Sequence, residues 1–186
     1  ESQRVAEGDR AIKQFTKNYP DAANVGAFYD ELSPEGYDEW ARRVNFSEPY
    51  YIVDEVARLV KQSDKKTSLR VLDVGAGTGL LGHKLNEKSE FKGLLKFTGI
   101  DASKQFVAIL DESEAYEEAR EIWMGRGTDE FPADLKEKFD LVTASGVFLK
   151  GHIPATAMED CHAALKPNGY FVTAMRSLYY EHGVEE

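Results

Sequence analysis

One cysteine, Cys161, in 186 residues is the first scarcity of this sequence. It excludes an internal disulfide and a multi-thiolate metal centre, both of which need more sulfur. No apolar run approaches the length of a membrane span and no secretory apolar region is visible, so the expectation is a cytoplasmic protein with no membrane partner. Positive charge is also short, with 23 Lys and Arg against 33 Asp and Glu and a formal net charge of −10. A non-specific nucleic-acid binder needs a basic face for phosphates, so nucleic acid is not an expected partner. What remains is a globular composition, 42% hydrophobic with ten Phe and nine Tyr. That is enough for one core: one domain, or one domain with a terminal extension.

The first 47 residues read as a helical extension. Val5, Ile12 and Phe15 can share a helix face that Pro20 stops, and short helical pieces follow, broken at "SPEG" and "NFSEP". Ser47 is a candidate N-cap, with Pro49 tolerated in the first turn. Tyr50, Val53, Val56, Ala57 and Val60 then recur at helical spacing and predict an amphipathic helix over 48–62. After Ser68 the character changes. "LRVLDVG" is a buried strand ending at glycine, "TGLLGHKLNEK" a helix, and "LLKFTGID" a strand ending in an acid. "SKQFVAILDESEAYEEAR" reads as a helix capped by Ser103, its acidic run a solvated face. "EIWMG" reads as the third strand, "KFDLVTASG" as the fourth, "PATAMEDCHAALKP" as a helix stopped by Pro167, and "GYFVTAM" as the fifth. Alternation with short links specifies an α/β fold: a doubly wound, mainly parallel sheet over residues 48–186, with the helical extension before it.

"VLDVGAGTGLLG" carries two overlapping glycine patterns. From Gly75 it is G-x-G-x-G; from Gly77 it is G-x-G-x-x-G, the dinucleotide fingerprint. In a dinucleotide fold the first glycine sits where the first strand ends, and here that glycine is Gly75. Gly82 then falls inside the following helix, either in close helix–sheet contact or simply tolerated, where alanine is expected to be accepted. Glycines let backbone approach a ligand, and the following helix N-terminus offers N–H donors that suit a carboxylate as well as a pyrophosphate. Asp73, two residues before Gly75, would meet the amino group of an adenosylmethionine, whereas a pyrophosphate gains nothing from it. Asp101, closing the second strand, suits ribose hydroxyls in either cofactor, or else caps the next helix. The residues favour the sulfonium cofactor over the nicotinamide one.

"VLDVGAGTG", "GIDAS", "FDLVTASGV" and "LKPNGYFV", in that order, resemble a class I S-adenosyl-L-methionine-dependent methyltransferase over roughly residues 36–176. "YDEWA" and "GHIP" are similar to the methyltransferase-like group named for the Williams–Beuren syndrome region. The resemblance implies a Rossmann-like methyltransferase fold and S-adenosyl-L-methionine as cofactor. It places Asp73, Gly75, Ala76, Gly77, Thr78 and Gly79 at the methionine end, Asp101 at the ribose, and Ala102 and Phe106 beside the adenine. Thr128 or Asp129 would read the adenine edge, and Ser145 and Gly146 would lie beside the methyl group. The family's usual C-terminal β-hairpin is missing, since only "RSLYYEHGVEE" remains; the alternatives are a truncated chain or a sheet that ends early. Val44-Asn45 stands where the family often has a second Tyr-Asp pair.

His152, in the loop after the fourth strand, is a candidate general base, although a lone loop histidine is more often structural. Tyr37 and Trp40 are candidates for an aromatic lid over the cofactor. Cys161 and His162 read as core or surface rather than metal ligands, and His83 as solvent-facing. No N-P-P-Y tetrapeptide follows the fourth strand, where "SGVF" stands instead. The expected activity is therefore methyl transfer to a small-molecule acceptor, with a protein side chain second. The competing classes are a non-catalytic cofactor-binding or partner-binding module and, less favoured, an NAD-dependent oxidoreductase.

Overall fold

A computed structural model of the chain describes residues 24–63, 67–149 and 151–175. The expected helix around Val5–Phe15 and the segment after Met175 lie outside the described residues. Five strands form one sheet in the order β3-β2-β1-β4-β5, every pair parallel. They are β1 (Leu69–Val74), β2 (Leu95–Asp101), β3 (Tyr116–Glu121), β4 (Phe139–Ser145) and β5 (Leu165–Ala174). The helices are α1 (Val25–Leu32), α2 (Pro34–Arg43), α3 (Glu48–Gln62), α4 (Leu80–Asn86), α5 (Lys104–Glu112) and α6 (Ala157–Ala164). Strand order reverses between β1 and β4, and ligands of such sheets bind at the carboxyl ends of the strands at that switch point. Among the described residues no helix is long and apolar enough to cross a membrane.

The two faces of β1 divide the core. Leu69 and Val71 join Ile52, Val53, Val56 and Val60 of α3 with Leu81 and Leu85 of α4. Leu72 and Val74 point the other way and join Ile100, Val142 and Cys161. This is the period-2 alternation of a strand covered on both sides. The α3 helix matches the predicted 48–62 span and has Pro49 in its first turn; Ser47 stands at the N-cap position without a side-chain cap bond. Ser103 does cap α5, its Oγ accepting from the Phe106 N–H at 3.2 Å.

Two expectations fail. The third strand is Tyr116–Glu121 and not "EIWMG", and the helix before it ends at Glu112 instead of running through Arg120. The "YEEARE" run looks helical because its exposed residues are charged. It is tolerated as a strand because β3 pairs with one neighbour, β2, among the described residues, and its charges are met by one residue of β2 and one of the short turn at 133–135. Lys96 faces Glu117 at 2.5 Å and Arg120 faces Asp134 at 2.7 Å. The sixth helix stops at Ala164, before Pro167, and β5 begins at Leu165 with a register shift where "KPNG" bulges. Asn168 takes φ +63° in that bulge, a left-handed conformation that asparagine tolerates.

Candidate functional site

The loop after β1 settles the frame of the glycines. Gly75, Gly77 and Gly79 adopt φ of +62°, +56° and +80°, while Gly82 lies within α4. Three alternate left-handed residues make a turn that only glycine enters cheaply, and it begins directly at the strand end. The turn is lashed to β2: the Gly75 and Ala76 N–H groups donate to the Ile100 carbonyl at 2.8 and 3.1 Å. The Gly77 N–H donates to Asp101 Oδ2 at 2.9 Å. Gly79 N–H returns to the Ala76 carbonyl at 2.9 Å. So these four N–H groups of the turn are spent within the protein. What the turn offers instead is space. A Cβ on Gly77 would meet only the Tyr37 ring, 3.9 Å away.

Asp101 holds the turn with one carboxylate oxygen and the next loop with the other, Oδ1 accepting from the Ser103 N–H at 2.9 Å. It is therefore not the cap of α5; Ser103 is. Each oxygen keeps further acceptor capacity for a hydroxyl. Burial pushes its carboxyl up to about 6, and the backbone donors of Ser103, Gly77 and Ala102 pull it back down. Asp73 is 3% exposed and faces the other side of the turn. Its Oδ2 accepts from the Tyr116 hydroxyl at 2.7 Å and its Oδ1 from Thr143 Oγ1 at 2.8 Å. Desolvation pushes Asp73 up to about 6 as well, against the pull of those two donors.

Three cavities adjoin Gly75 at the switch point. The largest, about 230 Å³, lies beside Asp101 and Ala102 and is walled by Ile122, Trp123, Met124 and Pro154. A second, about 70 Å³, lies among Tyr29, Tyr37, Phe106, Ser145 and His152. A third, about 50 Å³, lies between Asp73, Thr78, Ser145 and Tyr37. Ser145 lines both smaller cavities, and its buried Oγ has no hydrogen-bond partner among the described residues. Thr128 and Asp129 line none of the three, Asp129 being exposed; the wall after β3 is the 122–126 segment. Gly146 sits at the rim of the second cavity beneath the Phe46 ring, where a Cβ would come within 2.6 Å of Cζ.

The α1–α2 pair roofs the site. Gly26 of α1 sits so close to the loop after β2 that a Cβ would lie 2.4 Å from the Ala102 carbonyl oxygen. Asp30 Oδ1 accepts from Ser103 Oγ at 2.5 Å, Asp38 Oδ1 accepts from Thr78 Oγ1 at 2.9 Å, and the Tyr29 hydroxyl meets His152 Nε2 at 2.7 Å. These three contacts tie the roof to α5, to the glycine turn and to the loop after β4. Tyr37 joins the roof's aromatic cluster, 5.5 Å from Phe106 and 5.9 Å from Tyr29. Trp40 stacks behind Tyr37 and lines none of the cavities, so it supports the roof from outside. Sequence reading missed Tyr29, Asp30 and Asp38, which are separated by 123, 73 and 40 residues from the partners they reach. His83 is exposed, and Cys161 is buried in the core with its thiol pushed up to about 12.

A family model described as a methyltransferase domain matches residues 72–171, more than half the chain, so the chain belongs to that family. The methyl donor of this family is S-adenosyl-L-methionine. The chain is 28% identical over 164 residues to the ubiquinone biosynthesis O-methyltransferase of Bradyrhizobium diazoefficiens, covering 83% of this chain and 61% of that protein. It is 26% identical over 128 residues to the mitochondrial ubiquinone biosynthesis O-methyltransferase of Saccharomyces cerevisiae, covering 64% of this chain and 38% of that one. The chain thus spans less than two thirds of the length of either relative. The crystal structure of the (4+2)-cyclase SpnF superposes at a TM-score of 0.59 with 20% identity, covering 83% of this chain and 60% of that one. That likeness is one of fold.

Proposed function

We propose that this chain binds S-adenosyl-L-methionine at the carboxyl edge of β1, β2 and β4 and transfers its methyl group to a small-molecule acceptor. The observation that carries the reading is Ser145 Oγ, without a hydrogen-bond partner among the described residues and buried beside the open face of a three-glycine turn that Asp101 holds in place. A buried hydroxyl without a partner is costly and marks a place where a ligand atom belongs. Asp101 would accept the ribose hydroxyls, and the 122–126 wall with Ala102 and Phe106 would flank the adenine, in place of Thr128 and Asp129. Asp73 would supply negative charge near the amino group. Gly75 to Gly79 and Tyr37 would close over the methionine end.

The cofactor, when bound, supplies an already activated methyl group. The protein's task is then to exclude water and to align an acceptor atom with that group. Tyr29, Tyr37 and Phe106 form an aromatic wall suited to a flat, largely apolar acceptor. The two ubiquinone biosynthesis relatives, O-methyltransferases by name, support a small-molecule acceptor of that kind. We read the N-terminal extension 1–47, of which residues 24–47 are described, as a lid, and His152 as the contact of that described part on the body of the protein, because its Nε2 is engaged by Tyr29. "YDEWA" and "GHIP" support a finer grouping with the Williams–Beuren-like methyltransferases.

Calorimetry with S-adenosyl-L-methionine, its demethylated product and NAD tests the cofactor. Tight NAD binding without response to the sulfonium overturns the assignment. Mass-spectrometric detection of a methylated product from a panel of phenolic and quinol acceptors tests the transfer. The same fold in a protein named as a cyclase supports a second reading, binding without methyl transfer, which is the conclusion if the cofactor binds and no acceptor is methylated.

A further inference from the structure

The second glycine pattern, "GTGLLG", is left without a purpose once the turn is read from Gly75. Its last two glycines share a neighbour. A Cβ on Gly79 would lie 2.9 Å from Cε2 of Tyr116, and one on Gly82 would lie 2.7 Å from the same atom. Gly99, in the middle of β2, would place a Cβ 3.0 Å from Cδ1 of the same ring. Contacts of 3 Å or less are closer than carbon atoms accept in a packed core. Gly79 at the N-cap of α4, Gly82 within it and Gly99 on β2 therefore line a slot; the phenol of Tyr116, 6% exposed, shares it with Leu110 at Gly79 and Gly99 and fills it alone at Gly82. Phe97 closes the slot at 5.5 Å between ring centroids.

The end of the ring is bonded on both sides. The Gly82 N–H, in the first turn of α4, donates to the Tyr116 oxygen at 3.2 Å. The hydroxyl in turn donates to Asp73 Oδ2 at 2.7 Å. Burial and the Asp73 carboxylate hold the phenol well above its ordinary range, so it is the neutral hydroxyl that donates at neutral pH. One side chain from β3 thus joins the helix that follows the glycine turn to the acid that precedes it.

We propose that Tyr116 is a positioning residue of the cofactor site: its phenol fixes the Asp73 carboxylate relative to the first turn of α4, and Gly82 is a glycine to admit its ring. The link to cofactor rests on the methyltransferase reading above; the packing and hydrogen-bond parts do not. Polar order matters here because the bonds are buried, where a lost partner is most costly. Thr143 holds the other oxygen of Asp73 and so serves as the control, and Asp101 is the further charged group whose field reaches Asp73.

The test compares Tyr116→Phe with Thr143→Val in the full chain. Both remove a donor from Asp73, so both should raise the Asp73 titration midpoint, read by carbon-13 NMR, by about one unit. Only Tyr116→Phe should speed hydrogen exchange of the Gly82 amide, roughly tenfold. Only a positioning role predicts that pairing, since a merely packed ring is unchanged in shape by the substitution to Phe. The same variant should weaken S-adenosyl-L-methionine binding about tenfold. An Asp73 midpoint and a Gly82 exchange rate both unmoved in Tyr116→Phe overturn the proposal. A wild-type chain that takes up no S-adenosyl-L-methionine overturns the functional reading instead, and the two measurements on the free protein still decide this one. Should Tyr116→Phe fail to fold, Gly82→Ala alone decides: its methyl must displace the ring, lowering stability in urea and raising the Asp73 midpoint, and a variant as stable as wild type with that midpoint unmoved overturns the slot.

Discussion

The floor and the roof of the site are held in different ways. The floor, the turn from Gly75 to Gly79, is held by backbone: its conformation needs glycine, and its N–H groups are bonded to β2 and Asp101. The roof, α1 and α2, is held chiefly by side chains reaching across 40 to 123 residues, beside the one close backbone seat of Gly26 on the Ala102 carbonyl. A floor of this kind fails all at once, whereas a roof of this kind loosens by steps. Loops and lids that must open for ligand are drawn from the less stable parts of a fold, which is where the roof belongs.

The strongest way to break the comparison is at Gly75. A valine there takes φ +62° and meets Val147 Cγ1 within 2.3 Å of its Cβ. Left-handed strain of about 1–2 kcal/mol and overpacking of about 1–3 kcal/mol should add, giving a loss of about 2–5 kcal/mol in chemical denaturation. Gly77→Val has open space around its Cβ, so it should lose only the strain, yet abolish cofactor binding by filling that space. If the two variants lose equal stability, the floor is not held as described.

Asp101→Ala removes the acceptor for the Gly77 and Ser103 N–H groups. The protein should still fold, and cofactor affinity should fall by about 2–4 kcal/mol, thirty- to a thousandfold in dissociation constant. Unchanged affinity in calorimetry would reduce Asp101 to a brace for the turn.

A pH series separates floor from ligand. Asp73 and Asp101 each rise from an ordinary 3.8 to about 6 in the folded protein. Folding then binds protons, so their contribution is fully favourable below pH 4 and is lost as pH rises through 6. Each carboxylate can contribute up to about 3 kcal/mol across that window. Urea unfolding should therefore show greater stability at pH 5 than at pH 7, and Asp73→Asn should remove about half of the difference, leaving the Asp101 share. Cofactor affinity should move the opposite way, falling as pH drops through 6, because a protonated Asp101 accepts ribose hydroxyls poorly. Parallel changes in both quantities would contradict the assignment of Asp101 to the ribose.

The smallest effects belong to the roof. Tyr29→Phe and Asp38→Ala each remove one partly or fully exposed hydrogen bond, of about 0.5–1.5 kcal/mol or less. Melting temperature should hardly move, while the cofactor dissociation rate in stopped-flow measurements should rise a few-fold. A large fall in melting temperature instead would make the roof part of the folded floor.

Local pattern carried much of this protein. The buried strands β1, β2 and β4 were legible because apolar runs end in glycine or acid, and the helix over 48–62 because its apolar spacing is regular. The frame of "VLDVGAGTGLLG" followed from where the first strand ends, and three left-handed glycines bear it out. Asp73, Asp101 and Ser145 were likewise visible as residues at strand ends, since a strand end fixes which way a side chain faces.

Tertiary structure decided the rest. The "YEEARE" run became a strand because pairing with β2 and ion pairs to Lys96 and Asp134 outweighed its helical appearance. The wall after β3 fell at 122–126, not at Thr128 and Asp129, because the strand before it lies some five residues earlier than its composition suggested. Of the two readings of Gly82, close helix–sheet contact or tolerance of alanine, the structure shows the first: a Cβ there would lie 2.7 Å from the Tyr116 ring. Helix propensity is a property of the residue and its nearest neighbours in sequence, whereas the ring that fills this space comes from Tyr116, 34 residues away. A sequence states which backbone shapes and burial patterns are cheap; which distant side chain occupies the space they leave is settled only when the elements pack.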